Sequence, residues 1–186
     1  QKKLYQNMKK SFVAELEGNM IEAPEAITRL LRLQQILCGW FPSEGSVTQI
    51  DEQNPRIEAM KEILSDIDSK VIIWARFKAD LRAIERALGD LAVSYHGEVS
   101  SDAREVAVDR FQNDYVIYYS NSFDLEQRMQ SEDRCHRIGT KNNVTYIDIE
   151  TRKTVDSKII QALREKKSLA DIITKDPISL FMSEEE

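Results

Sequence analysis

From residue 55 onward the sequence alternates between short apolar runs and longer segments whose apolar residues recur every three or four positions. The apolar runs are "KVIIWA", "LAVSYHG", "YVIYYS" and "NNVTYIDI". Runs of this length, nearly continuous in apolar residues, are typical of strands buried on both faces of a parallel sheet. Because strands that alternate with helices pair in parallel through crossovers, the sequence predicts an α/β fold with helices on both faces of the sheet.

The segments between these runs have helical periodicity. In the segment beginning at residue 55, the apolar stripe consists of Ile57, Met60, Ile63, Leu64 and Ile67. The other predicted helices are "FKADLRAIERALGD", which ends at Gly89, "SSDAREVAVDRFQND", "FDLEQRMQSEDRCHRIG" and "TVDSKIIQALREKK". Ligands of such sheets bind beyond the carboxyl ends of the strands, so functional residues are expected in the loops that follow them.

The first 54 residues have a different pattern. "APEAITRLLRLQQILCG" predicts a helix, with Pro24 in its first turn and Gly39 at its end. The stretch that follows, "GWFPSEGSVTQIDEQNP", contains two prolines and two glycines and predicts a loop. We therefore expect a helical segment over residues 1–42 and a linker over residues 43–54.

Composition narrows the functional classes. The chain has 186 residues, 41% of them hydrophobic, and a formal net charge of −6. No apolar run approaches the ~20 residues that span a bilayer, so no membrane insertion is expected. Cys38 and Cys135 lie far apart, so we expect free thiols and no metal site. The acidic balance disfavours a protein that coats DNA, but three negative charges lie in the terminal "SEEE", which leaves room for a local basic groove.

The segment "FDLEQRMQSEDRCHRIG" is the richest in chemistry. On a helical wheel Gln127, Gln130, Arg134 and Arg137 share one sector of roughly 80°. A second sector, about 160° away, holds Leu125, Met129, Glu132 and His136, and we expect it to face the core. Asp124 is the predicted N-cap, with Gln127 completing a capping box, and Gly139 is the predicted C-cap.

The roles of the charged residues in this segment remain open from spacing alone. His136 is either a buried, hydrogen-bonded structural residue or a catalytic one, and its position beside Leu125 and Met129 favours the structural role. Arg134 and Arg137 either form surface ion pairs, worth about 0–1 kcal/mol, or clamp a polyphosphate. Two guanidinium groups on one face suit the second role, because arginine is permanently charged and binds phosphate oxygens bidentately.

The stretch "QSEDRCHRIGT" resembles motif VI of superfamily-two helicase-like ATPases, specifically the Swi/Snf family of double-stranded DNA translocases. The family pattern Q-x-x-D-R-x-H-R-I-G-Q is matched at Gln130, Asp133, Arg134, His136, Arg137, Ile138 and Gly139, and is not matched at Thr140. Further stretches resemble the family in the same order: "ITRLLRLQQILCG", "KVIIWARFKADLRAIERAL" (motif IV), "YHGEVSSDAREVAVDRFQND" with His96, Gly97, Arg104 and Phe111, and "TVDSKIIQALREKKSLADII". The resemblance covers essentially the whole chain and implies a RecA-like fold.

The resemblance also implies a domain organisation. Residues 1–42 are the helical segment that precedes the second lobe, 43–54 the linker, 55–174 the RecA-like helicase C-terminal lobe, and 175–186 an acidic tail. Between Asp114 and Tyr115 the family has a further strand and motif V, whereas this sequence has nothing, so we expect a segment to be missing there. The sequence also begins without Met, so we expect it to be part of a longer chain.

No G-x-x-x-x-G-K-[ST] sequence and no acidic Walker B-like stretch occurs in the 186 residues. By resemblance, ATP and Mg²⁺ are held mainly by an N-terminal ATPase lobe of the same polypeptide, so this chain alone should not hydrolyse ATP. The resemblance makes Arg134 and Arg137 catalytic arginine fingers that reach the ATP together with Gln130. It assigns no residue to metal binding.

Double-stranded DNA is the partner that the resemblance implies. The loops after the strands would contact it through Arg76, Lys78, His96 and Gly97, although their position at a helix start slightly favours ordinary solvated charge for Arg76 and Lys78. Trp74 and the tyrosines near residue 115 are expected in the strand core rather than in base stacking.

Two other functions remain open, a strand-separating helicase lobe and a non-catalytic DNA- or protein-interaction module. The sequence does not reveal the biological pathway. No nuclear-localisation cluster or chromatin-reading appendage is visible, so we expect a bacterial or phage-encoded cytoplasmic protein, or a nuclear one if the source is eukaryotic.

Overall fold

A computed structural model describes residues 1–18, 23–43, 46–97, 115–135, 143–168, 172–173 and 181. Its helices are α1 (Lys2–Gly18), α2 (Ala23–Leu37), α3 (Pro55–Ser65), α4 (Lys78–Leu88), α5 (Leu125–Cys135) and α6 (Val155–Arg164), with a 3₁₀ turn at Gly89–Leu91. Its strands are β1 (Trp40–Ser43), β2 (Ser46–Gln49), β3 (Val71–Trp74), β4 (Tyr115–Tyr118) and β5 (Thr145–Asp148). The helix predicted over residues 100–114, the Asp114–Tyr115 junction and the tail over residues 175–186 lie outside the described residues.

The chain forms two compact units. The first, which we call the helical unit, comprises residues 1–54, 121–132 and 150–186. The second, the sheet unit, comprises residues 55–120 and 133–149. Helix α5 therefore has residues in both units.

The sheet unit is built on three parallel strands in the order β3-β4-β5. Strand β4 lies in the middle, and its side chains alternate between two apolar clusters. Ile117 and the following Tyr119 pack with residues of α3 and α4, whereas Val116 and Tyr118 pack with Cys135 on the other face. This arrangement confirms the predicted parallel α/β fold, and the burial of Tyr118 and Tyr119 confirms their place in the core.

Helices α3 and α4 form where the apolar periodicity predicts them. Ile57 and Met60 are the buried residues of the α3 stripe, and Ile84 is buried on α4. Gly89 ends α4 with φ +53°, a left-handed conformation that glycine adopts without a steric penalty. The loop that joins β3 to α4 follows the carboxyl end of β3. Because ligands of parallel sheets bind beyond the carboxyl ends of the strands, this loop lies at the edge where a ligand is expected.

The helical unit has its own core. Buried residues of α2 pack with buried residues of α6, namely Leu30, Leu33, Ile36, Val155 and Ile159. Tyr5 on α1 joins this core, and its hydroxyl oxygen accepts the N–H of Val155 at 3.0 Å. Thr154 caps α6 by accepting the N–H of Asp156 at 3.2 Å. The predicted helices over residues 23–38 and 155–164 are thus confirmed. No helix within the described ranges is long and apolar enough to cross a membrane.

The loop predicted after Gly39 is wrong for residues 40–43 and 46–49, which form the antiparallel pair of strands β1 and β2. Trp40, the first residue of β1, is buried. The N–H of Ile50 donates to the carbonyl of Gly39 at 3.0 Å. The side chains of β2 are all exposed, so its sequence has no alternation to signal a strand. Main-chain pairing, which side-chain pattern does not report, decides this element.

The strand predicted for "LAVSYHG" is also wrong within the described residues, where 92–97 pair with no strand. The stretch has strand-like alternation, since Leu91, Val93 and Tyr95 are 90%, 60% and 62% exposed while the residues between them are half-buried. Its inner side is held to α4, where the Ser94 hydroxyl donates to Glu85. Alternating apolar residues indicate which side chains would share a face of a strand. They do not show whether a second strand lies alongside to form the backbone hydrogen bonds that a strand requires.

Candidate functional site

Helix α5 carries the residues with the strongest sequence signal. The Asp124 carboxylate accepts the N–H groups of Glu126 and Gln127 at 2.9 and 3.3 Å, which confirms the predicted N-cap. The reciprocal half of the capping box is wrong, because the N–H of Asp124 donates to the hydroxyl of Ser122 at 3.2 Å instead of to Gln127. A local Ser–Asp turn therefore replaces the capping box.

The buried side of α5 differs from the predicted one. Ser131 and Cys135 are buried, whereas Met129, expected in the core, is 43% exposed. Half-buried Arg128 and Glu132 complete the packing side, so the buried face of α5 is rotated by roughly 80° about the helix axis from the predicted face. The physical reason is that a long arginine can pack its aliphatic stem inward while its guanidinium group is hydrogen-bonded.

Arg128 is a structural residue that sequence reasoning missed. Its Nε lies 2.6 Å from Oε1 of Glu132, one helical turn away, and its Nη1 donates to Oδ1 of Asn121 at 2.7 Å. The Glu132 bond lies within α5, whereas the Asn121 bond joins α5 to the residues that follow β4. The Glu at i+4 from an Arg was the only available sequence signal for this ion pair.

Arg134 lies in a contrasting environment on the same helix. Its side chain is exposed, and it makes no hydrogen bond or ion pair with any residue in the described part of the chain. Gln130, one turn earlier, is also exposed and donates from Nε2 to Oε1 of Glu126 at 3.0 Å. Arg134 is thus an exposed arginine within the described part of the chain. His136, Arg137 and Gly139 lie outside the described residues.

The β3–α4 loop carries the predicted basic residues Arg76 and Lys78. Arg76 is half-buried, with its guanidinium carbon 5.8 Å from the ring centre of Phe77, and Lys78 is exposed as the first residue of α4. The N–H of Arg76 donates to the hydroxyl of Ser120 at 2.8 Å. The two basic residues thus follow the carboxyl end of β3, in the loop where the resemblance placed them.

His96 and Gly97 do not follow a strand, so the reason for selecting them fails. His96 is half-buried with Nε2 3.8 Å from a Glu85 carboxylate oxygen. A Cβ atom added at Gly97 would meet nothing within 4 Å, so no close contact requires glycine there.

Three buried polar residues at the carboxyl edge of the sheet were not identified from the sequence. Arg56 is 4% exposed and donates from Nη1 to the carbonyls of Tyr119 and Ile149 at 2.5 and 3.0 Å. The Ser120 hydroxyl donates to Oδ2 of fully buried Asp80 at 2.7 Å. Their positions in the sequence resemble ordinary surface charge, and only the fold brings them together. Across the described segments, no three histidine, cysteine or acidic side chains form a group suited to a metal ion.

Comparison with known proteins identifies relatives of this chain. No known family profile matches the sequence. The chain is 26% identical over 174 residues to the ATP-dependent helicase FUN30 of Saccharomyces cerevisiae, covering 75% of this chain and 15% of that protein. It is 25% identical over 172 residues to the ATP-dependent helicase fft2 of Schizosaccharomyces pombe, covering 75% and 13%. A shorter match, 31% over 84 residues, is to the chromatin-remodeling ATPase INO80 of Cryptococcus neoformans, covering 39% and 5%.

The chain thus spans only about an eighth to a seventh of the length of FUN30 and fft2, 15% and 13% respectively. These relatives are eukaryotic, as is the Arabidopsis thaliana protein CHROMATIN REMODELING 19, so the expectation of a bacterial or phage origin finds no support.

Among solved structures, the C-terminal part of the Fun30 ATPase domain superposes with a TM-score of 0.55 at 24% identity, over 69% of this chain and 52% of that chain. This likeness shows the fold, and the sequence relatives confirm the resemblance drawn from the motifs. The chain is similar in sequence to ATP-dependent helicases of the Swi/Snf family, and it shares the RecA-like fold of the C-terminal part of the Fun30 ATPase domain.

Proposed function

We propose that this chain is the second motor lobe of an ATP-dependent double-stranded DNA translocase, and that it supplies arginine fingers to ATP bound on a first lobe. The observation that carries the proposal is the contrast between two arginines of α5. Arg128 is engaged by Glu132 and Asn121, whereas Arg134 is exposed and bonds no residue in the described ranges. This contrast favours a phosphate-binding role for Arg134 over a structural ion pair of the kind that Arg128 makes.

The chemistry that Arg134 offers is electrostatic. Its guanidinium group stays charged at any physiological pH and presents donors in a planar fork that matches phosphate oxygens. Charge accumulates on the γ-phosphate oxygens during hydrolysis, and a positioned arginine accelerates the reaction by about 10³–10⁵-fold. Arg137, three residues further along the same motif, is proposed to share this role, with Gln130 assisting from the adjacent turn.

The remaining parts of the active site are proposed to lie outside this chain. The 186 residues contain no P-loop, so the phosphate-binding loop and the magnesium ligands belong to the first lobe in this proposal. ATP with Mg²⁺ supplies the free energy of the motor when bound there. This chain's own contribution is to orient Arg134 and Arg137 and to bind part of the DNA.

The proposed DNA contacts are Arg76 and Lys78. Both follow the carboxyl end of β3; Lys78 is exposed and so open to a phosphate backbone, whereas Arg76 is half-buried beside it. His96 and Gly97 have weaker support, since no strand precedes them in the described residues. The names of the relatives include chromatin remodelling, so we propose a nuclear location for the complete protein.

The test uses the complete polypeptide with its P-loop lobe. We expect Arg134→Ala and Arg137→Ala each to lower DNA-stimulated ATP turnover by at least about 10³-fold while the affinity for ATP changes by less than about tenfold. Arg86→Ala, which removes an exposed arginine from the last turn of α4, is the matched control and should leave turnover within about twofold. Normal turnover in the Arg134 variant would refute its role as a finger.

Two further measurements separate the alternative functions. The 186-residue chain alone should show no DNA-stimulated hydrolysis, and measurable activity would refute its role as half of an active site. Strand displacement on a forked duplex, compared with triplex displacement on a blunt one, distinguishes a strand-separating helicase from a translocase. A complete gene without a P-loop would instead favour an interaction module.

A further inference from the structure

The parallel pairing of β3 and β4 changes at its carboxyl end. Trp74 lies opposite Tyr118, and the N–H of Tyr119 donates to the carbonyl of Trp74 at 2.8 Å. In a regular parallel ladder the next bond would run from the N–H of Arg76 to the carbonyl of Tyr119. Here the Arg76 N–H bonds to the Ser120 hydroxyl at 2.8 Å instead.

Arg56 occupies the acceptor that Arg76 would otherwise use. Its Nη1 donates to the carbonyl of Tyr119 at 2.5 Å and to that of Ile149 at 3.0 Å, so it joins the ends of β4 and β5. Charged donors make stronger hydrogen bonds than neutral ones, so a peptide N–H does not displace it readily. The main-chain ladder therefore ends at Trp74, and the β3–α4 loop is held by side chains.

The orientation of the Ser120 hydroxyl is fixed by Asp80. The hydroxyl donates its single hydrogen to Oδ2 of Asp80 at 2.7 Å, which leaves an oxygen lone pair for the Arg76 N–H. Ser120 is 4% exposed and Asp80 is fully buried, so water does not compete for these bonds. Asp80 also lies in the first turn of α4, where a carboxylate is favoured by the helix dipole.

We propose that Asp80 and Ser120 are positioning residues that hold the backbone of Arg76, and hence the Arg76–Lys78 loop, in the conformation that binds DNA. This inference rests on the proposed function, which assigns DNA contact to those two basic residues. A loop held in its binding conformation loses less conformational entropy on association. The hydrogen bonds from Ser120 to Asp80 and from Arg76 to Ser120 therefore raise the affinity for DNA although neither Asp80 nor Ser120 contacts it.

The test replaces Ser120 by Ala in the complete polypeptide. The N–H of Arg76 is then left without its acceptor, and we expect about tenfold weaker binding of a short duplex, measured by fluorescence anisotropy. The rate of ATP turnover at saturating DNA should change by less than about twofold, because the chemistry on α5 is not altered. Hydrogen exchange at the Arg76 amide should accelerate by at least about tenfold.

Tyr5→Phe is the matched control, since it also removes a buried hydroxyl that accepts a main-chain N–H, that of Val155 in the helical unit. It should leave the dissociation constant for duplex DNA and exchange at Arg76 unchanged. In a background carrying Arg76→Ala and Lys78→Ala, adding Ser120→Ala should weaken DNA binding by less than about twofold further, because a positioning residue has nothing left to position.

Three outcomes overturn the inference: unchanged exchange at Arg76 in the Ser120 variant, a full tenfold effect of Ser120→Ala in the double-variant background, or unchanged DNA affinity in the Arg76 and Lys78 variant itself. Failure of the motor role is seen separately, as normal turnover in Arg134→Ala, because DNA affinity and amide exchange are measured without hydrolysis.

Discussion

Replacing Arg56 by Met tests whether a buried cation holds the carboxyl edge of the sheet. Methionine fills a similar volume, so the cavity left behind is small and the main loss is of hydrogen bonds. The guanidinium group donates to the carbonyls of Tyr119 and Ile149 and also lies 5.8 Å from the ring centre of Tyr119. All of these contacts are lost together.

The expected magnitude follows from two opposing terms. Each hydrogen bond from a charged donor contributes about 1.5–3 kcal/mol, so two contribute about 3–6 kcal/mol. Removing a buried charge recovers part of its desolvation cost, which is smaller for a weakly hydrated guanidinium group than for an ammonium. We therefore expect the free energy of unfolding to fall by about 2–4 kcal/mol.

Urea denaturation of the 186-residue chain, followed by circular dichroism, measures this change. Arg32→Met on α2 is the matched control: Arg32 is exposed and donates to Gln35 at 3.0 Å, so its loss should change stability by less than about 0.5 kcal/mol. A decrease below about 1 kcal/mol for Arg56→Met, or a gain in stability, would show that desolvation outweighs the hydrogen bonds and would refute the argument.

Two further predictions concern the helical unit. Burial raises the pKa of Tyr5 to about 12. Between pH 10 and 12 the Tyr5 hydroxyl therefore ionises in the unfolded chain but not in the folded one. The contribution of this hydroxyl to folding stability is fully present below pH 10 and is lost as the pH rises through this range. In pH-dependent urea denaturation, the stability advantage of the wild type over Tyr5→Phe should therefore shrink by roughly 2–3 kcal/mol over that range, and a constant difference would contradict the pKa. Gly39→Ala should lower stability by about 1–3 kcal/mol in thermal unfolding. The reason is that Gly39 has φ +93° and a Cβ there would lie 2.7 Å from Nδ2 of Asn54, whereas Gly97→Ala, in open space, should have little effect.

Local sequence predicted the secondary structure where side-chain pattern and backbone agree. The stripe ending at Ile84 and the glycine at position 89 predicted α4, and Asp124 predicted the start of α5. The antiparallel pairing of β1 with β2 and the unpaired stretch around Val93 could not be predicted in this way, because each depends on whether a second segment of backbone is available for pairing.

The candidate site divides along the same line. Motif VI identified Arg134 and Gln130 from the sequence, and both are exposed in the structure. The structure corrected Met129, because the inward direction of a helix depends on what packs against it and not on its own hydrophobic pattern alone.

The sequence by itself determined the alternation of helices with the three paired parallel strands, and the motif that relates the chain to Swi/Snf-family helicases. Tertiary structure alone decided which charged residues are buried. Arg56, Asp80 and Ser120 are separated by up to 64 positions along the chain, yet they converge where the strands of the sheet end. The proximity of these side chains cannot be predicted from a local sequence pattern. It arises only when crossover connections bring the carboxyl ends of β3, β4 and β5 to one edge of the sheet.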